Sequence, residues 1–381
     1  YEINANQIPI SYYRYNTAER KLTMDLFLTI LQFVLAFGLL VFVHELGHFL
    51  VSKALGIEVE EFGFGYPPRL VKLFTWKGTD VTLNWIPFGG FVRPKGETEE
   101  GVEGGMLSAP AWKRLLILLA GATFNFITGI IILIIMFNAV GTADTSRVLV
   151  SEVIQGSPAQ QADLRAGDLI TSIAGTPITS METLQNLIKA NLGKEISIGI
   201  SRDGQTLTTT ATPRVNPPAG QGALGISLTN PLEPLPFFPS VGRAFETFGM
   251  QVQQTLMLPV NLIRGVINPS DARVVGIKGI FDIFSNASQM DQTSTIATAT
   301  PLPIYRLSVI SMLSIALGIT NLLPIPALDG GQIVLLLPEL FFKKRIPQNV
   351  VNAINSVFFF LLIALMIYIT VQDFVNPVLQ P

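Results

Sequence analysis

The chain contains no cysteine and only two histidines among its 381 residues. Disulfides, thiolate nucleophiles and cysteine-ligated metals are therefore excluded, and any imidazole chemistry must run through that single pair. Charge is sparse as well: 14% of residues are Asp, Glu, Lys or Arg against 49% hydrophobic, too apolar for an ordinary soluble enzyme. A net charge of −2, with no basic stripe carrying interleaved aromatics, gives nucleic acid nothing to bind. What remains is the composition of a protein whose solvent is partly a lipid bilayer.

Both histidines fall in one pentapeptide, His44-Glu45-Leu46-Gly47-His48, at the end of an apolar run that begins at Leu26. On an α-helix His44 and His48 share a face, so both rings can reach one metal ion with Glu45 beside them. A chance match would not be expected to gather every histidine of the chain here. Burying two imidazoles and a carboxylate in an apolar helix is also costly unless they have a partner. A catalytic zinc takes three protein ligands and keeps a position for water, and an adjacent carboxylate, here Glu45, acts as general base. With no further His or Cys, the third ligand must be an oxygen donor, Asp or Glu.

Along the chain, residues 1–23 are polar and tyrosine-rich and are set aside from the mechanism, while residues 24–53 form a first span of bilayer length. Residues 54–112 mix aromatics with Gly and Pro, the pattern of short strands joined by turns, and read as a β region associated with the membrane. Residues 113–141 hold the second span. Within it Gly121, Ala122 and Asn125 put small residues and one amide in hydrocarbon, either for close helix packing or to line a polar cavity. Residues 142–230 read as a compact α+β domain with alternating strands at Val148–Ile154 and Ile196–Ile200 and a helix near Met181–Ala190.

A Pro-rich linker and an amphipathic, membrane-hugging segment occupy residues 231–303, with a loop or short helix over Asp271–Asn286 and an exposed polar stretch over Gln289–Thr300. Residues 304–338 form the third span, and residues 339–381 a basic loop and a fourth span. The third span contains Asn321-Leu322-Leu323-Pro324-Ile325-Pro326-Ala327-Leu328-Asp329-Gly330-Gly331. Two prolines and two glycines break a helix there, and such breaks survive at membrane depth only where protein or a water-filled cavity surrounds them. A carboxylate in that setting needs a partner. A metal held by His44 and His48 would be one, with Asp329 as the third ligand.

Charge distribution tests this independently. Lys53, Arg69, Lys72, Lys77, Arg93, Lys95, Lys113 and Arg114 follow span one, and Lys343, Lys344 and Arg345 follow span three, so both loops are expected in the cytoplasm. Spans one and three then both run inward and bring the proposed ligands to one depth. Residues 141–306 are expected on the other side.

Two resemblances follow from these motifs. Ser157-Pro158-Ala159 spaced before Arg165-Ala166-Gly167-Asp168 resembles a bacterial PDZ domain, a module that binds peptide C-termini by adding a strand to a sheet edge. Gly222-Ala223-Leu224-Gly225-Ile226 resembles the carboxylate-cradling loop of such domains. Taken with the first-span and third-span motifs, the chain from about 25 to 375 resembles the bacterial site-2 protease family. The resemblance implies an inner-membrane protein of about four spans, with a membrane-associated β region, an extracytoplasmic PDZ-like insert and an active site toward the cytoplasm. It implies Zn2+ on His44, His48 and Asp329, Glu45 as base, and Asn321 holding the substrate backbone. Substrates would be single-span membrane proteins of the anti-sigma-factor kind. Asn125 is a weaker candidate for substrate contact, because Ala122 follows Gly121 where the family often has proline.

Two rivals use the same residues. A membrane-bound PDZ adaptor would hold structural zinc or none, but structural zinc is normally closed by four ligands. A metal-ion transporter would need further ionisable residues along the apolar cores of spans two and four, Leu115–Val140 and Val350–Val371, and the sequence has none there.

Overall fold

The computed structural model describes residues 10–97, 99, 101–266, 274–293, 300 and 302–377. Helix α1 (Ile10–Ala54) starts inside the polar leader and continues through the first apolar run. No Asp, Glu, Lys or Arg lies between Leu26 and His44, and in hydrocarbon only a helix satisfies every backbone group locally. Strands β1 (Val59–Trp76) and β2 (Thr79–Pro94) follow as an antiparallel hairpin. Its two-residue turn uses positive φ at Lys77 and Gly78, the twist that suits a tight hairpin. The sequence leads one to expect several short strands joined by turns, and the pairing bears this out: β1 contributes segments 59–66 and 69–76 and β2 segments 79–86 and 90–94, which lie side by side. Both β1 and β2 are kinked, so that Phe62 faces both Val81 and Val92, and Phe64 both Leu83 and Gly90. Pro67-Pro68 and Gly89-Gly90 stand where the pairing is interrupted. Helix α2 (Ala111–Ala139) follows.

A second compact unit covers Phe137–Ser240. Strand β3 (Thr142–Ala143) opens it, followed by β4 (Val148–Val153), helix α3 (Pro158–Gln161), β5 (Leu169–Ile173), β6 (Thr176–Pro177) and helix α4 (Met181–Ala190). Strands β7 (Ile196–Arg202), β8 (Gln205–Ala211), β9 (Ile226–Thr229) and β10 (Leu232–Glu233) complete it. The main sheet has the order β8-β7-β5-β4-β9, with β6 paired to β5, leaving β9 at an edge. Ser157 and Ser180 cap α3 and α4, each accepting from a backbone N–H three residues on. Val148, Val150, Ile173, Leu184, Ile198 and Leu224 form a solvent-free aliphatic core. This is the α+β fold expected for the insert, but its boundary at 230 is corrected: β10 pairs with β3, so the unit extends to Ser240.

Asp168 is buried beneath that sheet and accepts from the Arg165 N–H at 2.8 Å and from Arg202 Nε at 2.7 Å. Burial alone would push its carboxyl up. The Arg202 guanidinium and the Arg165 amide outweigh burial and hold it below the usual carboxylate range.

Helix α5 (Phe237–Ile263) carries Pro259 and leaves Phe238, Phe245 and Leu256 exposed. Helix α6 (Ile277–Thr293) is longer than the loop or short helix expected over 271–286 and takes in the start of the polar stretch; residues 294–299 of that stretch lie outside the described residues. Helix α7 (Ile304–Asn321) ends where the Pro-rich break begins, α8 (Asp329–Phe342) resumes after it, and α9 (Gln348–Val375) closes the chain. The expected third span of 304–338 is therefore two helices.

Buried carboxylates stitch these helices together. Asp373 of α9 accepts from the Gly276 and Gly279 N–H groups at the start of α6. Asp291 of α6 accepts from the Tyr305 and Arg306 N–H groups at the start of α7. Among the described residues, four helical segments are long and apolar enough to cross a membrane: Met24–Ala54, Ala111–Ala139, Ile304–Asn321 and Gln348–Val375.

Candidate metal centre

Three helices bring the centre together. On one side of α1, Phe42 stacks on Phe64 and Phe49 on Phe62, with ring centroids 4.5 and 4.6 Å apart, fixing α1 against the hairpin. On another side lies α2, whose backbone approaches α1 without intervening side chains. A Cβ on Gly121 would sit 2.5 Å from both His44 Cε1 and His48 Nε2, and one on Gly47 would sit 2.6 Å from the Ala120 carbonyl. Only glycine at both positions permits the contact. Helix α7 packs on the other face of α2, with Ser311 donating to the Gly129 carbonyl and Ser314 to the Asn125 carbonyl.

The result is a tight triangle of donor atoms. His44 Nε2 lies 3.1 Å from His48 Nε2 and 3.1 Å from Asp329 Oδ2, and His48 Nε2 lies 3.4 Å from the same oxygen. A tetrahedral ion with bonds of about 2.0–2.1 Å has edges of about 3.3–3.4 Å, so these separations fit three corners of one zinc site. Asp329 Oδ2 is buried and accepts no hydrogen bond. An orphaned carboxylate oxygen facing two imidazole nitrogens is what a cation satisfies. Behind the site, His48 Nδ1 donates to the Ile117 carbonyl at 2.7 Å, which leaves Nε2 with its lone pair toward the centre.

Glu45 and all three donors line a cavity of about 610 Å³. Val92 of β2 lines the same cavity as Glu45. Asn321 lines the same cavity, as do Tyr66, Gln332 and Asn355. Asn355 Oδ1 accepts from the Ala327 N–H at 3.3 Å, tying α9 to the break that carries Asp329. Ala327 there adopts φ +76°, a left-handed turn that redirects the chain into α8. At the far end of the cavity Arg114, Glu339 and Arg345 form a linked ion pair. Gly222, Ala223, Leu224, Gly225 and Ile226 belong to the inserted unit and lead into the edge strand β9; the Leu224 carbonyl accepts from Ala159 and the Gly225 carbonyl from Ile154.

Asn125 is the residue whose placement differs from expectation. It is fully buried, does not line the cavity, and faces His44 from behind, so it is not positioned to touch substrate. The sequence carried a usable signal: Gly121 and Asn125 have the same four-residue spacing as His44 and His48, as expected of two helix faces that meet. Arg114, Glu339, Asn352 and Asn355 also line the cavity without having been singled out. Gln348, Asn352 and Asn355 form a polar stripe on an otherwise apolar helix, which could have marked them.

Two histidines and an aspartate set beside a carboxylate, among helices of membrane-spanning length, define a membrane metalloprotease. The profile of peptidase family M50 matches residues 32–365, and the chain belongs to that family, the zinc metalloendopeptidases of the site-2 type. A zinc metalloprotease homologue of Clostridium perfringens is 32% identical over 347 residues, covering 91% of this chain and 98% of the relative. Zinc metalloprotease RasP of Shouchella clausii is 28% identical over 429 residues, covering 91% and 98%. Among solved structures, the PDZ domain of an SdrC-like protein from Listeria monocytogenes aligns at 27% identity. It covers 23% of this chain and 90% of its own, with a TM-score of 0.20.

Proposed function

We propose that this protein hydrolyses peptide bonds within or near the transmembrane segments of single-span membrane proteins, in regulated proteolysis of the kind that removes anti-sigma-like proteins. The observation that carries this reading is the meeting of His44, His48 and Asp329 beside Glu45, on a cavity among helices apolar enough for a bilayer. Zinc held by these residues supplies a Lewis acid that lowers the pKa of water and polarises a carbonyl. Glu45 takes the proton of the attacking water and delivers it to the leaving amine as the C–N bond breaks. Asn321, on the same cavity, donates its amide N–H to the substrate backbone. A helical substrate hides its carbonyls in internal hydrogen bonds and must first unwind, and main-chain groups of β2 next to Glu45 offset part of that cost.

The basic loops after spans one and three argue for an inner-membrane protein with the active site toward the cytoplasm. The PDZ-like unit then lies outside the cytoplasm, where the Gly222–Ile226 loop and the edge of β9 receive peptide C-termini. An adaptor would have no use for Glu45 beside a three-donor site.

The test is purified protein in detergent with a single-span substrate carrying helix-breaking residues. The zinc-loaded protein should cut it, and Glu45→Gln should retain zinc and leave it intact. Turnover by Glu45→Gln, or cleavage of soluble unfolded peptides with every single-span protein spared, would overturn the reading.

A further inference from the structure

The two histidines are held from behind in different ways. His48 Nδ1 meets a main-chain carbonyl, Ile117 O at 2.7 Å, which can only accept. His44 Nδ1 meets a side-chain amide instead: Asn125 Nδ2 lies 3.3 Å from it. Asn125 is 0% exposed, and its Oδ1 is buried without a hydrogen-bond partner. An orphaned acceptor next to an imidazole nitrogen, on a side chain with no solvent exposure, has a physical cause to find.

The cause lies in the tautomer. A neutral imidazole carries one proton, and His44 Nε2 must keep its lone pair to bind a metal, so the proton belongs on Nδ1. An amide donating Nδ2–H to Nδ1 would suit only the ring protonated on Nε2, which cannot bind a metal through that atom, and would leave Oδ1 orphaned. A half-turn of the amide exchanges its two ends, which occupy nearly the same volume. Oδ1 then accepts from Nδ1–H, satisfying the orphaned oxygen and the metal-binding tautomer together. Ser314 donates its hydroxyl to the Asn125 carbonyl at 2.8 Å, tying this part of α2 to α7.

We propose that Asn125 is a positioning residue that fixes His44 in its metal-binding tautomer, its side-chain oxygen accepting from His44 Nδ1–H. Its side-chain oxygen does for His44 what the Ile117 carbonyl does for His48.

Zinc affinity of the full chain in detergent, measured by competition with a chelator, tests this. Asn125→Leu removes the acceptor and should weaken zinc binding by about 10- to 100-fold. Asn125→Asp keeps an acceptor and has no donor to favour the wrong tautomer, so its affinity should equal or exceed that of the parent. The proposal is overturned if Asn125→Leu binds zinc as the parent does, or if its KM for substrate rises with zinc affinity unchanged. If Asn125→Leu does not fold, Asn125→Asp decides: affinity at or above the parent supports the proposal, and a tenfold loss overturns it.

Discussion

In the inserted unit the buried centre is aliphatic and continuous in sequence, with Val148, Ile173, Leu184 and Ile198 within about fifty residues of one another. In the metal-binding unit the most buried positions include His44, His48, Asn125, Ser311 and Ser314, set among glycines on three helices far apart in the chain. Water drives the first kind of core together. Lipid is as apolar as leucine and does not drive the second, so close approach and interhelical hydrogen bonds must do that work. The insert is therefore expected to be indifferent to metal, and the membrane unit to be sensitive to single atoms at its helix contacts.

The largest effect should come from Gly121→Val, which drives side-chain carbon into both imidazoles. Zinc content by atomic emission should fall to background and cleavage with it, while hydrogen exchange within residues 137–240 stays as in the parent. Retained zinc would show that α2 yields more easily than the packing implies. Glu45→Gln sharpens the same contrast from the chemical side. Cleavage should fall by about 10²- to 10⁴-fold with zinc in place, since the substitution removes the base and no ligand.

Leu184→Ala reverses the pattern. It opens a cavity in the insert worth about 2–5 kcal/mol, read as faster exchange across β4, β5 and β7, and should leave zinc affinity untouched. The smallest effect is on pH dependence. The Asp168 carboxyl is held below its usual range, so its contribution to the insert is complete above the unfolded value of about 3.9 and is lost as pH falls through its depressed folded value. Asp168→Asn should weaken the insert at neutral pH and flatten the acid limb of its unfolding curve. An unchanged acid limb would assign that sensitivity to other groups.

The chemistry of the centre was more legible than its support. Scarcity made His44 and His48 conspicuous, and the broken third span made Asp329 the one carboxylate with a reason to sit at that depth. The spans and the insert's strands were legible because hydrophobic length and alternation are local properties. Asn125 was read as a weak substrate contact because its role lies in a neighbour on another helix, and periodicity in one segment does not name the face opposite. The edge of the insert was misjudged for a similar reason: the pairing of β10 with β3 joins residues some ninety positions apart. The short strands of the β region were legible from their aromatic and Gly/Pro spacing, whereas their register was not, because register shifts leave no compositional trace. The capping of α6 and α7 by Asp373 and Asp291 is likewise a long-range match of donors to acceptors.

The whole inserted domain lies in sequence between His48 and Asp329. While the chain is being synthesised from its N-terminus, the membrane therefore holds a first helix with two donors and a base but no third donor. Lytic power cannot arise until the ribosome has passed residue 329 and the third span has reached its neighbours.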